Sequence, residues 1–181
     1  MIVDSHCHVW ERWPYEPPVP DPKSRARAEQ LLFEMDQNGV ARAVLIAAAI
    51  GGNDANAAYA HGTAERYPGR FVPFADIDCR WSATYRTAGA AGRLAWMLSE
   101  EGRRLFGLAE ARRLIASLSV TPGQMPAVAA LAEAFPRLPI ACHHLGFVGP
   151  RFAAIADGPR LVLEAARHRN IAIKISGFGN V

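Results

Sequence analysis

Four of the six histidines come in two close pairs, His6 with His8 and His143 with His144. On a strand, residues two apart face the same side, so His6 and His8 project together, with Asp4 and Trp10 beside them and Cys7 opposite. Two imidazoles placed in this way can converge on one divalent ion at about 2.0–2.1 Å. The competing reading is a chance H-x-H at the start of a polar loop. His143 and His144 follow the apolar run Leu138-Pro139-Ile140-Ala141-Cys142 and run into Leu145-Gly146. Adjacent strand residues face opposite ways, so at most one of this pair addresses an inward ion. The run before them carries no parity signal to choose between them.

Other polar residues intrude into apolar runs. Asp76 and Asp78 end the run Phe71–Ala75 and share a face if the strand continues. Lys174 and Ser176 share one face of Ile171–Ser176, while Ile173 and Ile175 share the other. A lysine embedded in such a strand needs a partner, either an interior carboxylate or an anionic group of a substrate. His61 reads as a solvent-facing helix residue, and His168 as a cation at a helix carboxyl end. Neither belongs with the site.

The elements that must position these residues alternate along the chain. Apolar runs begin at Ile2 and span Ala43–Ala48, Phe71–Asp76, Leu114–Ser119, Pro139–Cys142 and Ile171–Ser176. Most are nearly continuous in apolar residues, as strands buried on both faces are. Helical patterns lie between them, over Ser24–Asn38, Asp54–Tyr67, Ser99–Arg113, Gln124–Phe135 and Asp157–His168. Ser99 followed by two glutamates reads as a helix start. Strand and helix in alternation imply parallel strands under helical cover. An open doubly wound sheet would carry a Gly-rich phosphate loop after its first strand. Here that strand runs into His-Cys-His-Val-Trp and a Pro-rich loop, Trp13–Pro22. That favours a (β/α)8 TIM barrel with a metal at its mouth. The interval Asp78–Leu114 shows one helix and no apolar strand, although a strand is needed near Ala95–Trp96. A complete barrel takes about 250 residues. The expectation is therefore one barrel domain over residues 1–181, incomplete, without strands four and eight.

Composition narrows the class. With 181 residues and half of them apolar, the chain can bury one good core. The formal charge of +3 comes from scattered arginines, so no nucleic-acid surface is indicated. Cys7, Cys79 and Cys142 cannot all pair and read as small buried residues of a reducing compartment. Neither a signal peptide nor a membrane span is expected, which points to a cytoplasmic protein.

Ile-Val-Asp-Ser-His6-Cys-His8-Val-Trp10, Pro-Ile-Ala-Cys-His-His144-Leu-Gly146 and Ile-Lys174-Ile-Ser176-Gly177 together resemble the amidohydrolase-2 family, TIM-barrel metal-dependent hydrolases with a lactonase-like branch. The resemblance runs in order from residue 2 to 181. It implies that His6 and His8 ligate a metal, that His144 completes or flanks the site, and that Lys174-Ile-Ser-Gly forms strand seven. The wider family has a further histidine on strand five, where this chain has Ser119-Val-Thr121-Pro, and branches without it bind metal weakly or not at all. The family's catalytic aspartate, on strand eight, would lie beyond Val181.

The expected function is metal-dependent hydrolysis of a lactone or other small carboxylic ester, with one divalent ion, zinc or else manganese. Such an ion lowers the pKa of a bound water toward 7 and polarises a carbonyl. His144 and Lys174 would act on the substrate, and Trp10, Asp76, Lys174 and Ser176 would bind it. The alternatives are a metal-dependent decarboxylase of the same family, or an inactive fragment keeping the fold signature. The only partner implied is a small-molecule substrate; a homo-oligomer is compatible with everything above.

Overall fold

The computed structural model describes residues 1–16, 19–77, 93–149 and 157–176. The chain forms two compact units, Met1–Ile77 and Asp78–Val181. Each carries a three-stranded parallel sheet and its own apolar core.

In the first unit the strands are β1 (Ile2–Cys7), β2 (Val40–Ile46) and β3 (Phe71–Phe74), in the order β1-β2-β3. Helices α1 (Ala28–Gln37) and α2 (Asn56–Arg66) form the connections. α1 stops where the sequence signals it, because Gly39 takes φ +66°, open to glycine without strain. Leu45 and Ala43 of β2 are fully buried and pack with Val9, Met35 and Phe71. The second unit has β4 (Ala116–Leu118), β5 (Ile140–Cys142) and β6 (Ile171–Ile173), again parallel and in sequence order. Its helices are α3 (Glu100–Ala111), α4 (Met125–Ala134) and α5 (Gly158–Ala165). Ser99 caps α3 by accepting from the Gly102 amide at 3.2 Å, with Glu100 and Glu101 in the first turn. Met125, Val128, Leu131 and Leu138 centre its core.

All six apolar runs become strands, and the five helical patterns become helices that start and stop a few residues inside the expected bounds. The gap expected at Ala95–Trp96 is present: no strand forms there, and residues Arg93–Leu98 make a 3-10 turn that buries Trp96 and Met97. Gly102 allows this, since a Cβ there would run into the Trp96 and Met97 carbonyls. The turn thus packs against the start of α3 and cannot extend into a sheet.

One reading, that of β1, needs correction. Its pairing with β2 passes from Asp4↔Ala43 to Cys7↔Leu45, so one extra residue is accommodated in β1 between those points. Such a bulge shifts the alternation of side chains. Asp4 therefore does not share a side with His6 and His8: its carboxylate bonds the Cys7 thiol, and its Oδ1 accepts from the His6 amide at 2.9 Å.

Buried Asn56 ties the loops after β1 and β2 together. Its Oδ1 accepts from the Ala48 amide at 2.7 Å, and its Nδ2 donates to the Val9 carbonyl at 2.6 Å. Asn56→Ala strands both backbone groups and is expected to cost about 2–4 kcal/mol in urea unfolding. Asn56→Asp, which keeps the acceptor but loses the donor, should also destabilise.

Candidate functional site

His6 is next to last in β1 and His8 lies just beyond it. The ring nitrogens His6 Nε2 and His8 Nε2 face each other at 3.1 Å. Two nitrogens bound to one tetrahedral ion at about 2.0–2.1 Å lie about 3.3–3.4 Å apart, so the pair already has close to the required spacing. The His8 Nδ1 is 2.7 Å from the Ile46 carbonyl, which can only accept. His8 therefore carries its proton on Nδ1 and presents the Nε2 lone pair, the tautomer a metal ligand needs. The 3.1 Å contact then has His6 donating from Nε2, and the donor set fits a divalent ion once that proton shifts to the His6 Nδ1.

Trp10 fixes the His8 ring from the other side. The two rings stack, with centroids 5.0 Å apart and 17° between planes, and the indole Nε1 donates to the Ala48 carbonyl at 2.9 Å. Only 4% of Trp10 is exposed. His8, Trp10 and Trp13 line a cavity of about 190 Å³ beside α1. Asp76 lies past the end of β3 and is exposed. Asp78, Cys79 and Gly177 lie outside the described residues.

In the second unit the strand ends carry a separate polar group. His143 is buried and its Nε2 is 2.7 Å from the Ser117 Oγ of β4. Lys174, buried just after β6, donates to the same Oγ at 3.0 Å. The lysine's hydroxyl partner is one that the sequence did not suggest. Burial holds the Lys174 pKa below the ordinary lysine value. His144 Nδ1 lies 3.1 Å from the Ser176 Oγ. Burial and, to a lesser degree, the Lys174 charge hold His144 below the usual histidine range, while a backbone hydrogen bond at Ser176 acts in the opposite sense.

The parity rule for His143 and His144 fails here for a backbone reason. His143 is extended, but His144, Leu145, Gly146 and Phe147 all have φ between +51° and +66°. They form a left-handed turn, which costs non-glycine residues roughly 1–2 kcal/mol each. The two imidazoles consequently lie with centroids 5.6 Å apart and planes at 76°. No pattern of residue types signals such a turn beyond the single glycine.

Cys7 and Cys142 are held as thiols by their surroundings. Burial, then the Asp4 charge and hydrogen bond, push the Cys7 thiol up to about 12, and burial raises Cys142 to about 11.

A family model for amidohydrolases matches residues 3–181. Among solved structures, the chain is similar to a probable 2-pyrone-4,6-dicarboxylic acid hydrolase from Acinetobacter baumannii with citric acid bound. The two are 16% identical with a TM-score of 0.74, over 99% of this chain and 71% of that one. It is also similar to an amidohydrolase from Burkholderia multivorans with bound zinc, at 17% identity and TM-score 0.68, covering 98% of this chain and 70% of that one. Amidohydrolase 2 from Bifidobacterium longum subsp. infantis aligns at 18% identity and TM-score 0.68, over 97% and 73% of the two chains. No curated protein matches the chain. No helix among the described residues is long and apolar enough to cross a membrane.

Two outcomes follow from this geometry. At pH 8, Cys7 and Cys142 should react with iodoacetamide at least about tenfold more slowly in the folded than in the unfolded protein, read by peptide mass spectrometry. Gly146→Ala should lose about 2–4 kcal/mol of stability, because the added Cβ meets Met125 Cε at 2.7 Å and Val162 Cγ2 at 2.8 Å and sits at φ +66°.

Proposed function

The chain belongs to the amidohydrolase family, and on that premise we propose that it is a metal-dependent hydrolase of lactones or other small carboxylic esters, with His6, His8 and His144 holding one zinc ion. The observation that carries the reading is the facing pair of Nε2 atoms 3.1 Å apart, with His8 already locked in the ligand tautomer. A bound divalent ion supplies Lewis-acid polarisation of a carbonyl and acidification of water.

The chain's own residues do the positioning. Ile46 and Trp10 fix the His8 ring, so His8 needs no reorganisation to ligate. Ser176 lies against the Nδ1 of His144, so the proposed ligand role falls to its Nε2. Trp10, whose ring lines the cavity beside His8, gives an apolar wall for substrate, and Asp76 and Ser176 offer polar contacts. Lys174 complements a substrate carboxylate or the charge that develops on a reacting carbonyl. The proposal includes a cytoplasmic setting.

Elemental analysis of the purified protein, with an intact mass, is the first test. We expect close to one zinc or manganese per chain, and loss of that metal in His6→Ala and His8→Ala. Titration of metal into the stripped protein, followed calorimetrically, should saturate at about one ion per chain. On a panel of lactones and esters, each histidine variant should lose at least about 100-fold in kcat/KM. Carbon dioxide release from unsaturated or aromatic acids in place of hydrolysis would move the enzyme to the decarboxylases. Folded protein with neither metal nor turnover would leave a chain that keeps the family fold without a working centre.

A further inference from the structure

The carboxyl ends of β4, β5 and β6 are joined by a polar set in which only Lys174 has a role in the function proposed above. His143 and Lys174 are 7% and 8% exposed, and both meet at the Ser117 hydroxyl. A charged lysine has only donors, so its bond occupies a lone pair of Ser117 Oγ. The hydroxyl proton can then be given to His143 Nε2, which makes that nitrogen the acceptor and places the imidazole proton on Nδ1. We propose that Ser117, itself fixed by Lys174, is a positioning residue that holds His143 as the neutral Nδ1–H tautomer and through it sets the left-handed turn that presents His144.

The backbone shows why His144 depends on its neighbour. His143 is the last extended residue, with φ −75° and ψ 153°, and its amide donates to Leu118 at 2.9 Å. Its carbonyl accepts from Gly146 at 2.8 Å and so closes the turn. Lys174 enters twice, once through its ammonium on Ser117 and once through its carbonyl, which accepts from Leu145 at 2.9 Å. Three non-glycine residues in the left-handed region persist only where surrounding contacts over-determine them. The His144 ring rests edge-on against that of His143, so a rotated His143 moves the surface that orients it.

The inference rests on His144 belonging to the catalytic centre as proposed above, yet its first readout needs no activity. Long-range proton–nitrogen NMR of the imidazoles in the full chain should show His143 protonated at Nδ1 and bare at Nε2. Ser117→Ala should abolish that pattern and shift the His144 signals, whereas Ser117→Thr, which keeps the hydroxyl, should restore both. In the hydrolysis assay Ser117→Ala should lower kcat about 10- to 100-fold, with metal content retained and KM within about twofold. An Nε2–H tautomer in the wild type, or His144 signals unmoved in a folded Ser117→Ala protein, would overturn the proposal. Should the alanine variant not fold, loss of the Nδ1–H pattern in Ser117→Thr would do the same. If the wild type hydrolyses nothing while the NMR pattern follows the hydroxyl, the function fails and the relay stands.

Discussion

A buried parallel strand ends in backbone groups that neither water nor the sheet can satisfy, and in this protein side chains take them up. In the first unit this constraint decides how the histidine pair is held. The Ile46 carbonyl takes the His8 Nδ1, the Ala48 carbonyl takes the Trp10 indole, and Asn56 serves Ala48 and Val9 at once. The same contacts that close the strand ends also select the tautomer of His8. Closing the strand ends and fixing the His8 ring are here one set of hydrogen bonds.

The second unit meets the constraint differently. Its strands are only three residues long, and the polar network begins immediately beyond them. Leu118, Cys142 and Lys174 continue the backbone ladder past the strand ends, through His143 to Leu118 and Lys174 to Cys142. A turn of unfavourable hand follows. The cost of that turn is local, while the contacts that offset it come from three strands.

Much of this organisation is written in residue order. Runs such as Ala43–Ala48 and Ile171–Ser176 can hardly be anything but buried strands, and Gly39 and Ser99 punctuate helices for reasons of single-residue chemistry. The pair His6 and His8 stands out in the sequence by residue type and spacing. The shift of Asp4 was hidden because a bulge is a property of the pairing between two strands, and β1 alone carries no mark of it. Ser117 was hidden for a related reason: a serine inside Ile115-Ala116-Ser117-Leu118 looks incidental until two later strands bring His143 and Lys174 to it. Asn56 escapes notice in the same way, as an ordinary residue at a helix start until the loops it joins are known.

The left-handed backbone at His144 sets two selective pressures against each other. Glycine or asparagine would occupy φ +51° with less strain than histidine does. A screen for thermal stability alone would therefore favour changes at this position, and each would discard the imidazole. Stabilising this enzyme by directed evolution calls for gains sought elsewhere in the second unit, in the α3–α5 core, where added rigidity does not compete with the side chain that the turn exists to display.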